Sequence, residues 1–244
     1  MNFVGFRNFV NVWNNAAFKQ AGINTLKFSM VAVPLAVALS LFLAAVMESR
    51  IPGKSYFRTF FLSPLMVPIA SVVLIWQVLF NYNGLVNDFL GRFGIAKTDF
   101  LKSDKAMVVI IALFLWKNLG YNMILFMAAL ASIPKDLLEV AALEHASKYQ
   151  IFWHIKVRYM SSTILFVAIM SLINSFKVFR EVYLMTGDHP YETLYMLQHF
   201  MNNTFASLDY QKLSAAAIIM FIVVSALVLV MVKVENRFGR DVEG

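Results

Sequence analysis

Five stretches of this chain are apolar over about 20 residues each, and no other property of the sequence restricts the fold as strongly. A helix that rises about 1.5 Å per residue needs roughly 20 apolar residues to cross a hydrocarbon core about 30 Å thick. The stretches cover residues 28–47, 59–80, 106–131, 159–185 and 213–232. None alternates polar and apolar residues as a barrel strand would, so the chain is expected to be an all-α membrane protein with five spans. Pro34, Pro64 and Pro68 fall inside these runs. There they are expected to kink helices whose freed carbonyls find other partners.

Composition agrees and removes several alternatives. Of the 244 residues, 60% are apolar and only 14% charged, with a mean hydropathy of +0.68. Such a mix lies outside that of soluble domains. The absence of cysteine excludes disulfides, thiolate metal sites and cysteine nucleophiles. The net charge of +7 is scattered between apolar runs and forms no basic block, so it fits anionic lipid headgroups and not nucleic acid. A polar 27-residue segment precedes the first run, which is longer than the roughly 7–15 residues of a secretory signal core and is therefore read as a span. Lys and Arg divide evenly between the two sides, ten and ten with Lys117 inside a span, so the positive-inside rule assigns no orientation.

The connection after the third run carries more information. Pro134 ends that run, because the residue before a proline is pushed out of the α region. A new helix is expected with Pro134 at its first position, and Asp136 and Glu139 near the positive end of its dipole. Leu138, Ala141, Ala142 and Leu143 are expected to present a small apolar surface, with Glu139 and Glu144 available for polar contacts. That surface suits a groove on a partner.

The stretch from Glu139 to Arg158, EVAALEHASKYQIFWHIKVR, resembles the EAA loop of ABC importer permeases. Glu139, Ala141, Ala146, Ser147, Gln150, Phe152 and Ile155 match its pattern in register. His145 stands where the family has glycine and Arg158 where it has proline. The glycine would serve a turn with φ > 0, which histidine tolerates better than most side chains. Loss of the proline leaves the return into the fourth span less sharply set. SPLMVPIASVVLIW (63–76), FNYNGLVN (80–87), WKNLGYN (116–122) and YLMTGDHP (183–190) are similar to further segments of sugar-type permeases, in the same order.

This resemblance implies the transmembrane domain of a type I ABC importer. Residues 28–233 would form that domain, with a coupling loop at 134–158, an extracytoplasmic or interfacial segment at 1–27 and a cytoplasmic tail at 234–244. The family has six spans, so a five-span chain is expected to lack the first, through a misassigned start in preference to a natural shortening. The resemblance also implies a multi-pass protein of the inner (cytoplasmic) membrane. Its implied partners are a second, homologous permease, an ABC ATPase dimer and an extracytoplasmic solute-binding protein. No cofactor is expected on this chain; ATP and magnesium would be held by the ATPase. The coupling residues would be Glu139, Ala141, Ala142, Glu144, His145, Ala146, Ser147 and Gln150, with Glu139 the foremost candidate for a polar contact at the joint.

Polar groups within spans are costly and turn toward protein or water. Gln77, Lys117, Asn118, Asn122, Asn174 and Lys177 are therefore candidates to line a substrate path, with Trp116 and Tyr121 as aromatic surfaces for sugar faces. Each can equally serve as cement between helices. Lys117, Lys177 and Arg180 together raise the expectation of an acidic sugar. The competing reading is a secondary transporter or channel driven by an ion gradient, which calls for embedded carboxylates; only Glu181, at a span end, is near. The Gly53-Lys54-Ser55 sequence lacks the glycine of a phosphate-binding loop, since Glu48 occupies that position. No catalytic motif is present, and the four histidines lack metal-ligand spacing.

Overall fold

The computed structural model describes residues 5–49 and 52–239, and the described residues are helices and connections without a strand. Arg50 and residues 240–244 of the C-terminal tail lie outside them. Among the described residues, five helical segments are long and apolar enough to cross a membrane: Ala16–Glu48, Ile69–Gly91, Ala106–Ala131, Ser161–Thr186 and Tyr210–Arg237.

Their outlines depart from the apolar runs in instructive ways. After a short α1 (Arg7–Asn14), α2 (Ala16–Glu48) begins twelve residues before the run that announces it. Asn15 starts it by accepting the Phe18 N–H on its side chain at 3.1 Å, as an N-cap does. The second run does not form one kinked helix. It divides into α3 (Lys54–Leu62), a 3₁₀ turn at Ser63–Leu65, and α4 (Ile69–Phe80), followed by the short α5 (Leu85–Gly91). Two prolines four residues apart remove two backbone donors, and Pro68 itself is extended (ψ 134°), so the helix stops and restarts. Pro34, alone, stays within α2. The third run becomes α6 (Ala106–Ala131) with the bounds expected. The fourth follows α7 (Lys135–Leu143), α8 (Lys148–Gln150), a π-helical segment (Ile151–Lys156) and α9 (Val157–Tyr159). It consists of α10 (Ser161–Phe176) and α11 (Phe179–Thr186). The chain ends with α12 (Leu197–Ala206) and α13 (Tyr210–Gly239).

The chain forms two compact units. One comprises the chain up to Ala32 together with Met66–Leu115 and Ile173–Val224; the other comprises Val33–Leu65, Trp116–Leu172 and the chain from Ser225 onward. In the first unit, edge-to-face pairs Phe28–Phe114 (5.5 Å) and Phe18–Phe200 (5.3 Å) fill the interior. Three polar side chains of α2 are satisfied there by the chain around 175–197. Asn24 donates to the Glu192 and Tyr195 carbonyls at 2.6 and 2.9 Å, Thr25 accepts from the Leu197 N–H at 3.0 Å, and Ser29 bonds to Ser175 at 2.8 Å. The turn between α4 and α6 is pinned by Asn87, which accepts from the Thr98 N–H and donates to the Thr98 carbonyl at 3.0 and 2.8 Å.

In the second unit Ala44, Met47, Met123, Phe126, Leu130, Ile133, Met160 and Val167 form one buried cluster. Gly120 of α6 lies against the backbone of Phe61 in α3, an approach that only a residue without Cβ permits. Glu48, at the end of α2, holds Lys156 in an ion pair at 2.6 Å. This unit contains the loop that the sequence singles out.

Candidate coupling loop and pathway residues

Pro134 caps α7 in place of occupying its first turn: its backbone is extended (φ −57°, ψ 131°), and Lys135 is the first helical residue. Asp136 in the first turn complements the dipole. Leu138 and Ala141, three residues apart, share one face. That face turns inward: Ala141 is buried, and Leu138 packs on the Met47–Phe126–Met160 cluster. The outward surface therefore keeps Ala142, Leu143, Glu139 and Glu144 of the one the sequence suggests and loses Leu138 and Ala141. It carries Val140, 53% exposed, and Leu143, 80% exposed, with Glu139, Ala142 and Glu144 also exposed.

The helix closes on a Schellman turn. His145 sits in the left-handed region at φ 58°, its N–H bonding to the Ala142 carbonyl at 3.1 Å while the Ala146 N–H reaches the Ala141 carbonyl at 3.0 Å. The position where the family has glycine thus keeps the glycine-type conformation. Ala146 is half-buried and His145 exposed. Ser147 starts the next helix through a capping box: its backbone N–H donates to Gln150 Oε1 at 2.8 Å, and the Gln150 N–H donates to Ser147 Oγ at 3.3 Å. The S-x-x-Q spacing announces this box in the sequence. The helix then continues through the π-helical turn, with no break at Arg158; the change of path comes at Met160, which is buried. Without the family's proline, nothing removes the donor at 158. Lys156 meets Glu48 across 108 residues, a partnership that no spacing reveals.

The pathway candidates separate between the two units. In the first, Gln77 donates to the Met185 carbonyl at 2.7 Å and so ties two helices, Asn174 is half-buried, and Lys177 is exposed. In the second, α6 carries the rest. Asn122 is buried and donates to Ser171 Oγ in α10 at 3.1 Å; Asn118 is buried one turn earlier, and Lys117 is half-buried. Trp116 and Tyr121 are 38% and 39% exposed, which leaves aromatic surface available to a ligand. Among the described residues, no group of three or more His, Asp or Glu is placed to hold a metal ion.

Among the described residues, five membrane-length helices define a multi-pass membrane protein, and comparison with known proteins gives the family. Residues 36–242 match the family described as binding-protein-dependent transport system inner membrane component. The trehalose/maltose transport system permease protein MalF of Thermococcus litoralis is 30% identical over 241 residues, covering 98% of this chain and 81% of that protein. Among solved structures, a bacterial ABC transporter involved in the import of the acidic polysaccharide alginate superposes with a TM-score of 0.85 at 22% identity, over 97% of this chain and 85% of that one. The bacterial alginate ABC transporter in complex with an alginate pentasaccharide-bound periplasmic protein gives 0.78 at 22% identity, over 98% and 84%.

The chain belongs to the family of binding-protein-dependent transport system inner membrane components. It is a multi-pass inner-membrane protein and a permease component of an ABC importer.

Proposed function

We propose that the chain forms part of the translocation path for a sugar or oligosaccharide and takes its motion from a separate ATPase docked on residues 134–158. One observation carries the docking: α7 is anchored by Leu138 and Ala141, yet exposes Val140 and Leu143 between Glu139 and Glu144. Burying such side chains contributes about 1.5–3 kcal/mol each, so an apolar ridge bordered by carboxylates is a favourable seat for a partner's groove. The loop is also stiff, closed by the Schellman turn, the capping box and the Glu48–Lys156 ion pair. A stiff loop passes displacement on to the helices that it joins.

The same reading places the loop on the cytoplasmic side. The partners are then a second related permease, a pair of ATPase subunits that hold ATP and magnesium, and an extracytoplasmic solute-binding protein. Hydrolysis takes place on the ATPase, and this chain supplies the path. A trehalose/maltose permease and an alginate importer among the similar proteins support the carbohydrate cargo. Trp116 and Tyr121 offer ring faces for it, and Lys117 on the same helix favours an acidic sugar. A gradient-driven transporter gains no support from family or sequence.

Pull-down of the tagged chain from detergent-solubilised membranes tests the docking. The ATPase is expected to co-purify with the unmodified chain and to be lost with Leu143→Asp or Glu139→Lys, while membrane insertion persists. Undiminished recovery with both variants would remove α7 from the joint. Equal uptake of neutral and uronate oligosaccharides would remove the acidic preference.

A further inference from the structure

A groove of about 610 Å³ opens within the second unit between α10 and α13. Its wall is apolar, formed by Ile164, Leu165 and Ala168 of one helix and Val230 and Met231 of the other. Both helices are membrane spans, so the medium that meets this wall is acyl chain. Its end is polar, lined by Trp153, His154, Arg158, Ser161 and Glu235. These residues come from the last part of the 134–158 loop, the start of α10 and the last turns of α13, where the apolar runs stop and a headgroup layer begins.

The polar end presents both kinds of partner. The Arg158 guanidinium and the Ser161 hydroxyl donate, and arginine matches phosphate in geometry as well as charge. The Glu235 carboxylate accepts, and already takes a long bond from Ser162 Oγ at 3.5 Å. His154 Nδ1 lies 3.2 Å from the Gln150 carbonyl. A carbonyl only accepts, so Nδ1 is the donor of that bond. Lys156 is engaged by Glu48, while Lys233 and Arg237 are exposed on α13. A guanidinium and a hydroxyl set against a carboxylate complement a zwitterion that has N–H donors better than a purely anionic group. Trp153, half exposed, is the residue type that settles at the interface.

We propose that this groove is a binding site for a single phospholipid with a primary-amine headgroup. One acyl chain lies on the apolar wall, the phosphate sits at Arg158 and Ser161, and the ammonium sits at Glu235. The inference rests on the membrane-spanning character of α10 and α13; since Trp153, His154 and Arg158 also belong to the 134–158 loop proposed to dock the ATPase, lipid retention is read on this chain alone, without the ATPase.

The test uses the full chain extracted from vesicles of equal parts phosphatidylethanolamine, phosphatidylcholine and phosphatidylglycerol, with retained lipid read by native mass spectrometry. Phosphatidylethanolamine is expected about fivefold above either other lipid, the ratio given by one additional charge-assisted hydrogen bond at a partly exposed site. Phosphatidylcholine has no N–H to offer, and phosphatidylglycerol brings no cation to Glu235. Glu235→Gln, which keeps an oxygen for Ser162, is expected to erase the preference over phosphatidylcholine. Arg158→Gln is expected to lower retention of all three. If Arg158→Gln does not insert, Val230→Trp, which fills the wall, is expected to give the same general loss. Equal retention of the three lipids, dominance of phosphatidylglycerol, or adducts indifferent to these substitutions would each overturn the site, leaving ordinary boundary lipid.

Discussion

Replacing Gly120 with alanine is expected to break the packing of α6 on α3. A Cβ built at Gly120 collides with the Phe61 carbonyl oxygen and lies 2.5 Å from the carbonyl carbon and 3.1 Å from Leu62 N. Carbon atoms rest at about 3.5–4.0 Å, so the backbones would have to part by about 1 Å. Neither side can yield by turning a side chain, since the obstructing atoms are backbone, and Phe61 is packed on the Phe126 cluster. Overpacking costs about 1–3 kcal/mol, and an obstruction by backbone belongs at the upper end of that range. Gly22 is the matched control. It lies inside α2, and its Cβ would meet only Leu197 Cδ2 at 4.0 Å, an ordinary contact. Gly22→Ala should therefore be neutral, or gain up to about 1 kcal/mol from helix propensity. The assay is thermal unfolding of the purified chain in detergent, followed by tryptophan fluorescence. A Gly120→Ala protein that melts with Gly22→Ala, or above it, would refute the close approach of α6 to Phe61.

Other outcomes follow from single sites. His199 is fully buried, accepts the Met196 N–H at Nδ1 (3.3 Å), and is held near pKa 4 by burial, partly opposed by the charge of Asp188. Its folded value is below the unfolded 6.5, so stability is whole above pH 6.5 and falls as pH drops toward 4, by about 3 kcal/mol in total. Melting curves from pH 7 to 4.5 should show this slope, and His199→Asn should flatten it; an unchanged slope would dismiss the residue. At His145, with φ 58°, glycine should add about 1 kcal/mol to loop stability and valine should subtract at least as much, measured by limited proteolysis of the 134–158 loop. Equal protection of the two variants would contradict the left-handed turn. For Glu48 and Lys156, partly exposed at 2.6 Å, a double-mutant cycle in thermal unfolding should give a coupling of about 1 kcal/mol. The exchanged pair, Glu48→Lys with Lys156→Glu, should recover most of it, and additive losses would deny the pair.

Much of this arrangement is legible because lipid imposes a length on apolar segments. The run at 106–131 stands between Lys105 and the Ser132–Pro134 stop, and it became α6 with the same bounds. The start of α2 was hidden because Lys19, Gln20, Asn24 and Thr25 look like a surface segment. Asn24 and Thr25 are instead satisfied by residues near position 195, about 170 positions away, and spacing carries no trace of such a bond. Pro64 and Pro68 were visible, but whether two prolines kink or break a helix depends on what packs around the gap. In the loop, register was readable residue by residue. The inward face was not, because alanine and leucine occupy both sides of α7 and only the packing of Leu138 distinguishes them. The pathway candidates stayed ambiguous for a chemical reason: an amide that recognises a hydroxyl also cements helices, as Gln77 and Asn122 do here.

The absence of cysteine allows the docking to be tested without background. Leu143→Cys and Gly94→Cys each create a single thiol, one on the exposed ridge of α7 and one in the turn after α5. Each would be treated with a short bifunctional reagent in membranes that contain the ATPase, with and without ATP. A crosslink to the ATPase from position 143 that changes in yield with ATP, and none from position 94, is the result expected of a coupling loop at 134–158. A crosslink from position 94, or none from position 143 in either state, would contradict it.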